Sequence, residues 1–172
     1  MQILHIQTLT IEHAVKLLEF EIQNRAWFES QIEARSPDFY SLSGVRNHIE
    51  IMLREAANGR CMPYLVFNGE DEIVARANLR EINTATGTAE VGYRVGKEFT
   101  RQGIASFALA HLSGVAKHEL GLSALDAYVI EQNLGSQRFL EKAGFEYVET
   151  VASVAQLGNQ HLSGFRFSLL LK

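Results

Sequence analysis

Val95-Gly96-Lys97-Glu98-Phe99-Thr100-Arg101-Gln102-Gly103-Ile104-Ala105-Ser106 joins a run of alternating apolar residues to a long amphipathic one. Upstream, Ala89 to Val95 alternates: Val91, Tyr93 and Val95 share one face, Glu90 and Arg94 the other, which predicts a strand. Downstream, Ile104, Phe107, Ala108, Leu112 and Val115 fall on one face of a helix. Gly103 and Ala105 are small, so backbone N–H groups at the helix start are open to close approach. Those donors and the positive end of the helix dipole suit an anion, although many such junctions are only tight turns. Arg101 adds a cation at the mouth. The spacing is neither GxxxxGK[ST] nor GxGxxG, which argues against nucleoside triphosphates and NAD.

Working outward, the periodicities alternate between strand and helix. Residues 1–7 suit a strand, and Thr10 can cap a helix whose Ile11, Ala14, Val15, Leu18 and Ile22 form one buried stripe. Residues 24–39 read as irregular and aromatic-rich. Ser43 can cap a second helix that buries Val45, Ile49, Met52, Leu53 and Ala56 and closes at Asn58-Gly59. Strands are expected at 64–67, 72–79 and 89–95, with Asn68-Gly69 turning between the first two. After the central helix come a strand at 125–130, a helix at 135–143 and strands at 145–154 and 165–171. Hairpins first and a strand–helix–strand unit later predict an α/β (α+β) fold. Its mixed, mostly antiparallel central sheet carries helices on both faces.

Composition narrows the function classes. The 172 residues, 47% hydrophobic and 21% charged, match one globular domain spanning residues 1–172 and exclude intrinsic disorder. No apolar stretch reaches the roughly 18 residues of a membrane helix. Residues 1–6 lack a basic segment leading into an apolar one, so the expected location is cytoplasmic. A net charge of −4 without a Lys/Arg run argues against nucleic acid. Cys61, the sole cysteine, has no His beside it in sequence and reads as a small buried residue. His111 and His118 are two helical turns apart, too far to share an ion, and no metal site is expected.

Asn133-Leu134-Gly135-Ser136-Gln137-Arg138-Phe139-Leu140-Glu141-Lys142-Ala143-Gly144-Phe145 reads, by itself, as a helix capped by Asn133 and stopped by Gly144. Together with Arg101-Gln102-Gly103-Ile104-Ala105 it resembles the GNAT superfamily of acyl-CoA-dependent N-acyltransferases. The first segment is similar to that family's pyrophosphate loop. Asn133-x-x-Ser136 through Lys142-Ala143-Gly144-Phe145 is similar to its following helix, and the element order matches over nearly the whole chain. Within the superfamily the sequence most resembles the RimJ/RimL-type ribosomal-protein N-terminal acetyltransferases. The residues that carry this are Asn24-Arg25-Ala26-Trp27-Phe28, Asp38-Phe39-Tyr40-Ser41-Leu42 and Glu90-Val91-Gly92-Tyr93.

The resemblance implies an acetyl-CoA-dependent N-acetyltransferase in which a neutral amine attacks the thioester directly. Tyr93, Val95, Arg101, Gln102, Gly103, Ile104, Ala105, Asn133, Ser136, Arg138 and Lys142 would line the cofactor, and no metal is implied. Glu90 is the leading base, against an ordinary exposed strand carboxylate. Ser136 would serve the departing thiolate, or merely bond its own backbone. Asn133 reads as a pantetheine partner or a simple cap, and Arg138 and Lys142 as 3′-phosphate contacts or solvated charges. Asn24, Arg25, Trp27, Phe28 and Tyr40 would meet the acceptor, an amine such as a ribosomal protein N-terminus; the aromatic ones equally suit a hydrophobic cover. Several positions depart from the family pattern. Thr100 and Arg101 stand where an Arg/Gln and a glycine are usual, and Leu140 stands where other members often carry Tyr. Val154, His161, Ser163 and Gly164 replace an aromatic residue, a Trp and an Asp-His pair. A small-molecule amine acceptor, or a non-catalytic acyl-CoA-binding module, therefore stays open. Monomer and homodimer do too, the latter through an exposed strand at 165–171.

Overall fold

Strand and helix alternate along the chain because apolar residues switch between periods of two and about 3.6. The computed structural model describes residues 2–157 and 159–172. Among them are seven strands, β1 His5–Thr8, β2 Met62–Phe67, β3 Ile73–Asn83, β4 Thr88–Val95, β5 Ala124–Ile130, β6 Glu146–Leu157 and β7 Gln160–Leu170. Five α-helices accompany them: α1 Ala14–Gln23, α2 Arg25–Glu29, α3 Leu42–Ala57, α4 Ile104–Gly114 and α5 Leu134–Lys142. A π-helical turn, Val115–Glu119, prolongs α4. The sheet order is β1-β2-β3-β4-β5-β7-β6, antiparallel everywhere except β4 against β5.

That parallel pair positions the site. β4 and β5 match only over Thr88↔Ala124, Ala89↔Leu125 and Glu90↔Asp126. Beyond Glu90 the strands diverge, while β5 stays paired to β7 as far as Ile130↔Gly164. The sheet thus opens into a V whose walls are the ends of β4 and β5. Gly164 permits its arm of the V, because a Cβ there would stand 2.1 Å from the Val129 carbonyl oxygen.

Alternation along the strands gives each sheet face its own core. On one face Val91, Leu125, Ala127 and Val129 pack with Ile104, Ala108 and Leu112 of α4 and Leu140 of α5. On the other, Leu65, Phe67 and Ile73 meet Leu17 and Phe20 of α1 and Val45 and Ile49 of α3. Each fully buried aliphatic side chain contributes about 1.5–3 kcal/mol.

Several local expectations are corrected. The stripe Ile11, Val15 and Ile22 faces solvent, and α1 buries Ala14, Leu17, Phe20 and Glu21 instead. The helix turns this way because Glu21 is drawn onto arginines of the sheet, a long-range pairing that periodicity does not register. The cap of α3 is Ser41, whose Oγ accepts from Gly44 N at 3.0 Å, rather than Ser43. Phe107 is largely exposed. Residues 25–29, read as irregular, form α2. Finally, β7 lies between β5 and β6, so residues 165–170 offer no free edge for a dimer. No described helix is long and apolar enough to cross a membrane.

Candidate active site

The V opens into a cleft of about 1680 Å³ that β4 divides by its own alternation. Tyr93 and Val95 face the α4 and α5 side. Glu90, Gly92 and Arg94 face the side of α1, where Arg94 meets Glu21.

On the α4 side, the loop before the helix folds back tightly. Thr100 Oγ1 donates to Lys97 O at 2.9 Å and Gln102 Nε2 to Glu98 O at 2.9 Å. Arg101 and Gly103 both have left-handed backbone, at φ 62° and 80°. Gly103 caps α4, and the first N–H to find a carbonyl is that of Phe107, on Gly103 O at 3.0 Å. The N–H groups of Ile104, Ala105 and Ser106 are therefore the open donors of the first turn. Space beside Gly103 is free of other atoms within 4 Å of a Cβ position. These donors fit a polyphosphate group.

Opposite them stands α5. Asn133 Oδ1 accepts from Ser136 N at 3.1 Å, so Asn133 is its cap. The Ser136 hydroxyl in turn pairs with the Tyr93 hydroxyl at 2.8 Å, and the Tyr93 ring stands edge-on to Phe139. Burial pushes the Tyr93 phenol up to about 12 despite the hydrogen bond it shares with Ser136, so the phenol is protonated at neutral pH. Leu140, fully buried, takes no part.

On the α1 side, Glu90 is half-buried with Arg80 Nη2 at 3.9 Å from its carboxylate. Burial raises its carboxyl above the usual range, with Glu81 and Asp126 adding to the effect and Arg80 opposing it. Further along the same face lies a buried ionic cluster. Glu21, fully buried, receives Arg76 Nη1 at 2.6 Å and Arg94 Nη1 at 3.3 Å, with Arg35 Nη2 at 3.7 Å. Burial would raise the Glu21 carboxyl, but the three guanidinium groups together hold it below the usual range. Arg76 Nη2 also donates to His48 Nε2 at 2.8 Å. Burial and these same arginines push the imidazole down to about 3, so it accepts as a neutral ring.

Not every residue singled out in the sequence lines the cleft. Tyr93, Val95, Arg101, Gly103, Ile104, Ala105, Asn133, Ser136, Lys142, Glu90, Trp27 and Phe28 do. Ile104 lines it while its side chain stays in the core. Gln102 and Arg138 do not. Four acceptor candidates have partners of their own. Asn24 is buried, its Nδ2 on Phe20 O and its Oδ1 accepting from Lys97 N, both at 2.9 Å, which ties α1 to the end of β4. Arg25 pairs with Glu29 and lies over the Tyr40 ring at 4.1 Å, which occupies both. Trp27 Nε1 donates to Val95 O at 3.2 Å, taking up a carbonyl at the end of β4. The C-terminal positions are also engaged: His161 Nδ1 pairs with Ser153 Oγ at 2.9 Å and Ser163 Oγ donates to Glu131 at 3.0 Å. Val154 lines the cleft. Among the described residues no group of three or more His, Cys, Asp or Glu is placed to hold a metal.

Sequence reasoning missed the Glu21–Arg76–Arg94–Arg35 cluster and the Tyr93–Ser136 pair. A signal for the first existed: Arg76 interrupts Ile73-Val74-Ala75-Arg76-Ala77, and a charge inside a buried strand requires a partner.

The family model described as an acetyltransferase (GNAT) domain matches residues 4–146. The chain is 31% identical over 144 residues, 83% of its length and 80% of the relative's, to a probable N-acetyltransferase, YjcK, of Bacillus subtilis (strain 168). Among solved structures it is similar to the ribosomal-protein-S5-alanine acetyltransferase from Vibrio fischeri. That likeness has a TM-score of 0.90 and 16% identity and covers 100% and 97% of the two chains. It is also similar to RimL, a ribosomal L7/L12 alpha-N-protein acetyltransferase solved with coenzyme A. There the TM-score is 0.88 and the identity 18%, over 98% and 94% of the chains.

Proposed function

Because this chain belongs to the GNAT family of N-acetyltransferases, we propose that it transfers the acetyl group of acetyl-CoA to a primary amine in the cytoplasm. The acceptor is a protein N-terminal amino group, attacked directly within a ternary complex. The observation that carries this reading is the Tyr93–Ser136 hydroxyl pair facing the same cleft as the open donors of α4, with Glu90 on the reverse of the same strand. The N–H groups of Ile104, Ala105 and Ser106 and the Arg101 guanidinium hold the pyrophosphate. Asn133 and Lys142 flank the rest of the cofactor. Glu90 accepts a proton from the ammonium, directly or through water, and its raised pKa makes it a better base than an exposed carboxylate. The amine nitrogen then bonds the thioester carbonyl carbon and the carbon–sulfur bond breaks. Ser136 passes a proton to the departing sulfur and recovers one from the Tyr93 hydroxyl, 2.8 Å away; the second proton, shed by the nitrogen as the amide forms, returns through water to Tyr93.

A small charged amine is the second acceptor reading. It is favoured by the C-terminal positions: His161 and Ser163 are bonded to Ser153 and Glu131, and a side chain at Gly164 would meet the Val129 carbonyl oxygen.

Three results test the reading. Acetyl-CoA at a hundred times its Kd stabilises the fold by about 2.7 kcal/mol, which is roughly 5–11 °C in Tm for a chain of this size. No shift at saturation overturns the assignment of the cofactor. Tyr93→Phe lowers kcat by roughly 10- to 100-fold, the worth of a hydrogen bond to a charged group, with acetyl-CoA affinity nearly unchanged. An unaltered kcat in a thiol-release assay removes Tyr93 from the chemistry. Arg101→Gly has opposed effects. Releasing a left-handed non-glycine backbone stabilises the fold by up to about 1 kcal/mol in urea titrations, while losing the cation weakens acetyl-CoA binding roughly two- to tenfold.

A further inference from the structure

The Glu21 cluster carries more positive charge than its internal pairing needs. Three guanidinium groups, Arg35, Arg76 and Arg94, share one carboxylate, and His48 beside them is neutral, so the group is left with a charge of +2. A cluster whose only task was to fasten α1 to the sheet would need a single arginine, and Arg76 does that with both ends of its guanidinium engaged.

The other two arginines are less fully engaged. Arg94 makes one polar contact, with Glu21 at 3.3 Å, and lies over the Phe28 ring at 4.9 Å, which leaves its other N–H groups unpaired among the described residues. Arg35 stacks on the Phe39 ring at 4.3 Å but comes no nearer to Glu21 than 3.7 Å, and its Nε is buried with no hydrogen-bond partner. All three arginines line the cleft. They stand on the opposite face of β4 from Tyr93, away from the donors assigned to the pyrophosphate.

The register orders the rest of this face. Arg76↔Arg94, Asn78↔Gly92 and Arg80↔Glu90 are successive rows with the same orientation. Gly92 leaves the middle row shallow; a Cβ there would stand 3.3 Å from the Arg80 guanidinium. Asn78 Oδ1, in that row, is buried without a hydrogen-bond partner and lines the cleft. The floor is therefore bipolar: Glu90, offset by Arg80 at 3.9 Å, and the unpaired Asn78 Oδ1 lie toward one end, and the incompletely paired guanidinium groups of Arg94 and Arg35 at the other. Same-face rows are roughly 7 Å apart.

We infer that the amine acceptor carries an anionic group, a carboxylate or a phosphate, which Arg94 and Arg35 bind while its amine lies toward Glu90 and Asn78. This rests on the acetyltransferase reading above and specifies the acceptor of that same site. Burial and the mutual repulsion of the arginines push Arg94 down to about 9, and an anion between them would relieve that repulsion. Guanidinium is suited to either anion because its paired N–H groups match both. A polyamine, cationic at every nitrogen, is disfavoured.

The test has two arms. In the first, thiol release is measured with the peptides Ala-Glu-Ala-amide and Ala-Gln-Ala-amide, with free glutamate and with spermidine. The acidic peptide or glutamate is expected to exceed the neutral peptide roughly 10- to 100-fold in kcat/KM, and which of the two leads separates a peptide from a small-molecule source. Arg94→Gln and Arg35→Gln should each erase most of that preference while leaving the KM for acetyl-CoA unchanged, and Arg94→Lys should restore part of it. Equal turnover of neutral and acidic acceptors, or a preference that survives both variants, overturns the inference and leaves the acetyltransferase reading standing. The second arm needs no turnover. With the protein saturated in CoA, inorganic phosphate should raise Tm above potassium chloride of equal ionic strength, and Arg94→Gln should abolish the difference. Absence of that shift in the wild type overturns the inference. Failure of every acceptor to release thiol, with the phosphate shift intact, overturns the acetyltransferase reading instead.

Discussion

Glu90→Gln is expected to lower kcat by roughly 10²- to 10⁴-fold, the usual worth of a positioned general base, with the Kd for acetyl-CoA unchanged within about twofold. The substitution keeps the shape and the hydrogen-bonding oxygen and removes only the basic site. Burial places the Glu90 carboxyl above the ordinary carboxylate range, Glu81 and Asp126 reinforce the shift, and Arg80 at 3.9 Å limits it. Activity of the wild-type protein should therefore decline with acid sooner than an exposed glutamate would dictate, and that limb should vanish from the residual activity of the variant. The sign for stability is opposite. A carboxyl with a raised folded-state pKa favours the protonated fold, so at neutral pH Glu90 costs stability and Glu90→Gln should unfold at a slightly higher urea concentration. Equal turnover of the two proteins from pH 6 to 9 would sink Glu90 as the base.

The largest effect on folding is expected at Glu21. Glu21→Ala leaves Arg76, which is 2% exposed, and two further guanidinium groups without a counter-charge. Breaking a buried pair from one side costs about 3–5 kcal/mol, or roughly 6–20 °C in Tm. Adding Arg76→Met should recover part of that loss, because an apolar side chain of similar length removes the orphaned charge. Acid acts on the same cluster. The Glu21 carboxyl is held below its ordinary range, so its contribution is complete at neutral pH and is lost as pH falls through the depressed value. His48 adds to this: its ring stays neutral in the fold to about pH 3 but takes a proton when unfolded near 6.5, so stability falls between those limits. Urea midpoints at pH 7 and pH 5 read the His48 effect, and a further midpoint below pH 4.5, the ordinary value of the Glu21 carboxyl, adds the Glu21 effect. A loss under about 1 kcal/mol in Glu21→Ala would mean the cluster is solvated.

The fold was legible in the sequence wherever local pattern sufficed. Alternation in β4, the apolar stripe of α4 and the Asn133 cap each depend on residues within a few positions of one another, and the structure agrees with all three apart from Phe107 in the stripe. The resemblance to the GNAT family likewise rested on two short segments, both of which line the cleft. What escaped were pairings between distant parts of the chain. Glu21 meets Arg76 and Arg94 across 55 and 73 positions, and this contact set the rotation of α1 and exposed Val15 and Ile22. Tyr93 reaches Ser136 across 43 positions. Asn24, Arg25 and Tyr40 are acceptor candidates through the two segments, 24–28 and 38–42, that carry the resemblance to RimJ/RimL-type enzymes. Hydrogen bonds and stacking within their own layer engage them instead.

The division of labour along β4 bears on how such a protein can change. Its odd-numbered residues, Val91, Tyr93 and Val95, face the layer that holds α4 and α5, and its even-numbered ones, Glu90, Gly92 and Arg94, face the layer of α1. Point substitutions at even positions can alter one chamber while the other keeps its side chains. With the site assignment proposed above, a lineage can drift toward new amines without rebuilding its acyl donor pocket. Insertion or deletion of one residue in the strand would do the reverse, exchanging the occupants of both chambers at once. Between Glu90 and Val95, divergence should be rich in replacements and devoid of length changes.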